Sequence, residues 1–553
     1  MVTQLRRCSR WPGATLGWLT AWVLAFVLPV RPAAPASGPE RLQRLARLPQ
    51  LSFSLGLAFT ANGGFELLGD AQDSPRTLQA LRNELTGGPA DAPRYVKLGR
   101  VLASLNEGDL AQRAYAQAAQ MFEQQGAAES RDPAVLTGWA EALLEQGKAD
   151  QAERMLRRAV EVAPTNWLAH ASLARFLARS ALRSAAGPSG PAEAFFSPTW
   201  VRPDATVVEQ ARRQMDEARA AADRAVALGS QQAAAFSNRA AVGSIGRILA
   251  LLTGRGDGAP GDAARRTIET NRAIFDREAL PDLWAAARLT PDTPQPWGCA
   301  AMCELLAEAF QRGLEQADAL LTGEFWPLMP EATQQRVREA ISRLGAIGES
   351  SQPVSAATAL TLLGTLQFFV LRDTAGGEAS LRRATAVDPT FAGGWEALTF
   401  GLVLSKRYET LLEVCQARVK HDDNLRSRVL LAKAYEKNRQ PDAMVAELEL
   451  ARQRNPEALL ANLALGAAYV MTADDESERS RALPLLSRAT QLAGESPPRE
   501  LAVEVAFQRG LYFALSGQAG VARSHFRRML ELDPQNAEAA EALQALDRAG
   551  ESE

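Results

Sequence analysis

The feature that most constrains this chain is a sequence pattern that returns about every 34 residues from residue 92 onward. Its clearest copy runs from Pro133 to Asn166 and holds two apolar stripes of helical period, separated by a break at Gly147. Pro164 follows the second stripe and turns the chain into the next copy, because proline cannot continue a helix. The stripes consist of Leu136, Trp139, Ala140 and Leu143, then Ala152, Leu156 and Ala159. This pattern predicts an all-α chain of stacked helix pairs.

The same pattern returns with compatible phase in other parts of the chain. Its further copies carry Tyr95, Leu98, Gly99, Ala111, Tyr115 and Ala118; Trp395, Leu398 and Leu402; Leu431, Ala432, Tyr435, Leu448 and Pro456; Leu465, Gly466, Tyr469, Ala482 and Leu486; and Gly510, Phe513, Ala522, Phe526 and Pro534. The arrangement resembles the tetratricopeptide repeat family, whose pattern is W-x2-L-G-x2-Y, then A-x3-F, then P. The resemblance implies an α-solenoid of helix hairpins whose first helices line a concave groove, and it implies a protein or peptide as the ligand of that groove.

The pattern is interrupted, and its interruptions divide the chain. Residues 232–356 are expected to be helical without keeping the repeat, so they separate two arrays of helix hairpins. The predicted parts are a signal segment at 1–36, a lead segment at 37–91, an N-terminal array at 92–231 with an insert at 181–208, the divergent region at 232–356, a C-terminal array at 357–547 and a tail at 548–553. Within the lead segment, residues 51–59 alternate between apolar and other side chains, which favours a short strand.

The first residues of the chain have the order of an export signal. A basic cluster that includes Arg6 and Arg7 precedes an apolar run at 14–30, and Ala34 and Ala36 follow at the spacing of an A-x-A cleavage site. The run is either removed as a signal peptide or retained as an anchor in the inner membrane. Both outcomes place the folded part in the periplasm or elsewhere outside the cytoplasm, because the basic cluster stays inside. We therefore expect an exported bacterial protein that contacts a membrane only through this segment.

The sequence does not contain the residue patterns that are typical of catalytic or metal-binding sites. The chain has 3 histidines and 4 cysteines, and it shows no glycine-rich turn between a strand and a helix and no nucleophile elbow. The glycine-rich residues 254–258 resemble a phosphate-binding loop, but no strand precedes them, so a flexible turn is the better interpretation. Cys299 and Cys303 share one helix face, but no histidine lies near them to complete a metal site, so buried thiols are the better interpretation. A net charge of −3 argues against nucleic acid as partner. The sequence predicts a protein that is not an enzyme and has no cofactor and no metal.

The repeat phase also predicts which residues of the first helices face outward and contact the partner. These residues are Arg100, Glu141, Arg175, Phe400, Arg426, Lys433, Phe507 and Leu511. Leu463 belongs to the same outward set, so the C-terminal groove is expected to be more apolar than the N-terminal one. An apolar groove favours an amphipathic or extended peptide as ligand.

An alternative function rests on tryptophans outside the repeat pattern. Trp200, Trp284, Trp297 and Trp326 lie in the insert and the divergent region, where the repeat does not explain them. Exposed indole rings could stack on sugars, which would make the chain a carbohydrate-handling protein of the envelope. Ordinary packing in a core is the competing interpretation for each of them.

Overall fold

The computed structural model describes residues 91–104, 108–187, 204–253, 279–312, 326–421, 423–473, 475–493, 499–532 and 536–550. Within these ranges the chain forms helices and no strand, which confirms the predicted all-α solenoid fold. The predicted signal segment, the alternating residues 51–59 and most of the insert lie outside the described residues. The helices group into two compact units that divide between residues 401 and 402. The predicted boundaries of the arrays at 232 and 356 stay predictions.

The first unit begins with three helix pairs. Its helices are α1 (Ala92–Ser104), α2 (Gly108–Gln124), α3 (Pro133–Glu145), α4 (Ala149–Val162), α5 (Trp167–Ala186) and α6 (Ala205–Leu228). The helices that follow in this unit are α7 (Ala233–Thr253), α8 (Leu280–Leu289), α9 (Pro294–Arg312), α10 (Glu331–Ile347), α11 (Pro353–Thr365) and α12 (Thr374–Val387). A π-helical turn at Leu366–Val370 separates the last two helices. Helix α13 (Ala392–Leu404) contains the division between the units.

Six helices in the described part of the second unit form three pairs. Its helices are α14 (Tyr408–His421), α15 (Leu425–Lys437), α16 (Pro441–Arg454), α17 (Leu459–Thr472), α18 (Glu476–Ser480), α19 (Ala482–Ala493), α20 (Arg499–Leu515), α21 (Ala519–Leu532) and α22 (Ala537–Gly550). The pairs are α15 with α16, α17 with α19, and α20 with α21. Helix α22 packs on α21 and buries Ala539, Ala542 and Leu546.

Local sequence signals set the ends of the clearest pair. Asp132 caps α3 by accepting a 2.8 Å hydrogen bond from the amide of Ala134, and Pro133 occupies the first turn, where its missing N–H costs nothing. Gly147 adopts φ 75°, a left-handed conformation that suits glycine, and reverses the chain between α3 and α4. Helix α4 ends at Val162, two residues before Pro164. The predicted break and the predicted helix end are therefore confirmed.

Close contact within the first and last pairs depends on a glycine in the first helix. A Cβ atom on Gly99 would lie 2.9 Å from the ring of Tyr115, and one on Gly510 would lie 2.6 Å from the ring of Phe526. Real Cβ atoms do not approach so closely, so these glycines provide the space that the large side chain of the second helix fills. In the first and last pairs, the glycine and the aromatic residue of the repeat pattern are thus two halves of one contact.

A buried carboxylate joins three helices of the divergent region. Glu304 on α9 is 1% exposed and accepts hydrogen bonds from Trp284 Nε1 at 2.6 Å and from Thr333 Oγ1 at 3.0 Å. The guanidinium of Arg336 on α10 pairs with the same carboxylate. Cys299 and Cys303 on α9 are buried, as predicted. A network of this kind holds α8, α9 and α10 in fixed orientation, because each donor would lose its partner if one helix moved.

We predict opposite effects for alanine at two glycines of the last pair. Gly510→Ala is expected to destabilise the chain by about 1–3 kcal/mol, because the added methyl group collides with Phe526. Gly520→Ala on α21 meets no atom within 4 Å and is expected to be neutral or to stabilise by up to about 1 kcal/mol. Thermal unfolding followed by circular dichroism measures both. Equal midpoints for the two variants would show that the glycine contact does not hold the pair together.

We predict that the Glu304 network contributes more to the stability of the fold than an exposed ion pair between α8 and α10. Glu304→Ala leaves three donors without their acceptor and is expected to cost about 3–5 kcal/mol. Glu339→Ala on α10 removes an exposed partner of Arg288 at 3.6 Å and is expected to change stability by less than about 1 kcal/mol. The thermal midpoints of the two variants, compared with the parent chain, measure the difference. A Glu304 variant as stable as the Glu339 variant would contradict this prediction.

Candidate interaction face

The order of contacts shows which helices lie on the inside of each stack. In the first unit α1 contacts α3 and α3 contacts α5, and in the second unit α15 contacts α17 and α17 contacts α20. The second helices of these neighbouring pairs make fewer contacts with one another. A stack whose first helices are closer together than its second helices curves toward the first helices. The first helices therefore form the inner side within each unit.

In the first unit the predicted residues Arg100 and Glu141 lie on this inner side and pair with each other. Arg100 Nε donates to Glu141 Oε1 at 2.9 Å, and Arg100 Nη2 donates to Glu141 Oε2 at 2.6 Å. This bidentate pair joins α1 to α3, and the Arg100 side chain remains 52% exposed. Arg175 on α5 is half-buried. The structure thus gives Arg100 and Glu141 a contact with each other as well as access to solvent.

The prediction that Phe400, Phe507 and Leu511 face outward is wrong. They are 6%, 1% and 2% exposed, and Leu463 is 1% exposed. In the second unit the reason is the composition of α17, where every residue from 461 to 470 is buried. Its many small side chains let the neighbouring helices approach and enclose it. The expected apolar groove is therefore closed by the chain itself.

Polar residues replace the expected apolar surface on the inner side of the second unit. Lys433 on α15 is half-buried and pairs with Glu436 at 2.9 Å. Burial lowers the pKa of Lys433 to about 8, although the charge of Glu436 opposes that shift. Arg426, on the same helix, is half-buried. Of the candidates predicted in this unit, these two keep access to solvent.

Sequence analysis missed Glu504 and Gln508 on α20. Gln508 Nε2 donates to Glu504 Oε1 at 2.8 Å. Burial raises the pKa of Glu504 to about 7, and the negative charge of Glu538 on α22 raises it further. The hydrogen bond from Gln508 and the positive charge of Lys433 act in the opposite direction. The only signal in the sequence is a Glu and a Gln four residues apart, which share one helix face.

Lys433 and Glu504 belong to one face although their helices are not neighbours in the stack. Helix α17 contacts both α15 and α20, and it carries no charged residue. The charge of each side chain nevertheless acts on the other. Both side chains therefore reach over the same side of α17. We call this the inner face; it consists of Arg426, Lys433 and Lys437 on α15, Glu504 on α20, and Glu538 on α22.

The structure does not support the carbohydrate alternative. Trp284 and Trp297 are 4% and 1% exposed, and their rings contact each other edge to face with centroids 6.2 Å apart. Neither ring offers a face to a sugar. Trp326 is half-buried beneath the guanidinium of Arg338 at 5.7 Å, and Trp200 lies outside the described residues.

The described part of the chain shows neither a metal-binding cluster nor a helix that could span a membrane. Its residues contain no group of three or more His, Cys, Asp or Glu side chains placed to hold a metal ion. None of its helices combines the length and the apolar character needed to cross a membrane. His170 makes a local contact, since its Nε2 lies 2.9 Å from the carbonyl oxygen of Pro164.

Comparison with known families agrees with the helix pairs. Residues 109–176, which cover α2, α3, α4 and part of α5, match the family model of the tetratricopeptide repeat. This match shows tetratricopeptide-type repeats in residues 109–176. No curated protein matches the sequence significantly.

Solved structures with similar helices share little sequence with this chain. YrrB, described as a tetratricopeptide repeat protein with an unusual peptide-binding site, is 15% identical, with 36% of this chain and 97% of that chain covered and a TM-score of 0.28. Yeast Tom70 is 13% identical, with 83% and 96% covered and a TM-score of 0.31. Human IFIT1, solved as a dimer with m7Gppp-AAAA, is 10% identical, with 86% and 85% covered and a TM-score of 0.32. At these TM-scores the overlays support no statement about what this chain binds.

We predict a pH-dependent effect of removing the Glu504 charge. The folded chain holds this proton up to a pH of about 7 and the unfolded chain releases it near pH 4.5, so the free energy of unfolding falls as pH rises between those values. Glu504→Gln removes the free-energy cost of ionising this buried carboxyl group. The substitution is expected to stabilise the chain by about 2–3 kcal/mol at pH 8, with little effect at pH 4. Thermal midpoints across this pH range measure it. Glu413→Gln, the same substitution at an exposed position on α14, is the control.

Proposed function

We propose that the chain is a scaffold that holds a segment of another polypeptide along the inner face of its second unit. The observation that carries this proposal is that α15 and α20, which bear the partly exposed residues Arg426, Lys433 and Glu504, both contact the uncharged helix α17. Such an arrangement presents donors and acceptors to a ligand that crosses several helices, as extended peptides do.

The chemistry of the inner face favours a polypeptide over a polyanion. Lysine and arginine side chains on α15 attract negative groups, but Glu504 and Glu538 place negative charge farther along the same face. A nucleic acid carries negative charge along its whole length and would meet repulsion there. A polypeptide can carry both signs of charge and apolar side chains between them. No catalytic step is part of this proposal.

We further propose that the scaffold works outside the cytoplasm of a bacterium and contributes to the assembly of envelope complexes. The support is the order of the first residues, in which Arg6 and Arg7 precede the apolar run at 14–30 and Ala34 and Ala36 follow it. Arginines before an apolar run keep the start of the chain inside and send the remainder across the membrane.

Site-specific crosslinking in intact cells tests both proposals. A photo-reactive amino acid replaces Lys437, whose side chain is 34% exposed on the inner face, or Glu413, which is exposed on α14. We expect illumination to join an envelope protein to the chain that carries the probe at 437, and nothing to the chain that carries it at 413.

The outcomes of this experiment separate the two proposals. Equal crosslinks from both positions, or none from 437, would contradict binding at the inner face. Crosslinks from 437 to cytoplasmic proteins alone would leave the inner face as the binding site and contradict export.

A further inference from the structure

Four ion pairs recur at one position of the stack. In each of them, an arginine on the second helix of a pair contacts a carboxylate in the turn that leads from the preceding helix into that pair. We call these ion pairs the turn clasps, and two of them lie in each unit. They are Arg158 on α4 with Glu129, Arg383 on α12 with Glu349, Arg454 on α16 with Asp423, and Arg488 on α19 with Glu457.

Each turn clasp joins the end of one helix to the second helix of the next pair. Glu349 lies just beyond the last residue of α10, and Arg383 Nη2 on α12 lies 2.7 Å from its Oε1 atom. Glu457 lies just beyond the end of α16, and the guanidinium of Arg488 on α19 contacts its carboxylate. Separation of α10 from α12, or of α16 from α19, therefore breaks an ion pair.

The inner and outer sides of the stack are held by different forces. On the inner side, first helices of neighbouring pairs pack together, as α15 does with α17. The packing there is dense, because every residue of α17 from 461 to 470 is buried. Among the described helices, the second helices of these neighbouring pairs contact each other less than the first helices do. The turn clasps thus hold the side of the stack where apolar packing is weaker.

The turn clasps are exposed, so dissolved ions reach them. The side chains of Arg488 and Glu457 are 41% and 69% exposed, and those of Arg383 and Glu349 are 52% and 68% exposed. The distance over which salt screens a charge falls from ~30 Å at an ionic strength of ~0.01 M to ~3 Å at ~1 M. The attraction within an exposed ion pair therefore falls across this range. The burial of apolar side chains between first helices does not depend on this attraction.

We propose that the turn clasps are a salt-responsive device, which holds successive second helices together at low ionic strength and releases them at high ionic strength. Because the first helices stay packed, release separates only the second helices. Within each unit, this bends the stack more strongly toward its inner side. Each exposed ion pair adds little to stability, so the helices stay folded and only their spacing changes. The device goes beyond the proposed function, because it operates without a ligand.

Pulsed electron paramagnetic resonance measures the spacing between α16 and α19 in the full-length chain. Nitroxide labels are attached to Gln453→Cys on α16 and Thr490→Cys on α19, two exposed positions outside the clasp that joins these helices. The labelled chain also carries Cys8→Ser, and the remaining cysteines, Cys299, Cys303 and Cys415, are buried and shielded from the label. We expect the mean distance between the labels to shift to a larger value when NaCl is raised from ~0.01 M to ~1 M.

Variants of the clasp between Arg488 and Glu457 show whether it causes the shift. Arg488→Gln should give the larger distance at low salt and lose the response to salt. Arg488→Glu combined with Glu457→Arg exchanges the charges and should restore the response. The matched control is Arg528→Gln, the same substitution in an exposed ion pair with Glu531 within α21, and it should respond as the parent chain does. Circular dichroism spectra equal to the parent spectrum show that each variant is folded.

Three results would overturn the inference. The first is a label distance in the parent chain that is the same at both salt concentrations. The second is a response of Arg488→Gln as large as that of the parent chain, because the clasp would then not cause it. The third is an equal loss of the response in Arg528→Gln, which would assign the effect to charge in general.

Discussion

The structure depends on the close crossing of two helices, which a small residue on the first helix allows and a large side chain on the second helix fills. Gly510 and Phe526 make this contact in the last pair, and Gly99 and Tyr115 make it in the first. In a stack of helix pairs each pair contacts only its neighbours, so stability is the sum of many such local contacts. The close crossing also brings consecutive first helices together on one side.

Much of the fold could be predicted from the sequence, because turns and helix ends depend on local chemistry. Gly147 requires a left-handed turn and Pro164 cannot continue a helix, whatever surrounds them. Exposure is different, because it depends on neighbours that the repeat phase does not describe. The phase placed Phe507 and Leu511 on the outward side of α20, yet both are buried. The small residues of α17 let α20 approach its neighbours, and the space expected for a ligand is filled by the chain.

Polar residues were the hardest to predict, since their effect arises from partners far apart in the sequence. Glu304 gains its donors from Trp284, 20 residues earlier, and Thr333, 29 residues later. Before the structure, nothing distinguished it from the other carboxylates on amphipathic helices. Glu504 is a similar case, because the groups that act on it, Lys433 and Glu538, lie on two other helices. Spacing along one helix shows which side chains share a face, but not which helix covers that face.

Charged side chains on the inner sides of the two units have different surroundings. In the first, Arg100 and Glu141 form a bidentate pair, so each charge has its complement within the chain. In the second, Lys433 pairs with Glu436 and Glu504 accepts a hydrogen bond from Gln508, and burial shifts the pKa of Lys433 down to about 8 and that of Glu504 up to about 7. Folding alone therefore leaves these two groups less well solvated than they would be in water.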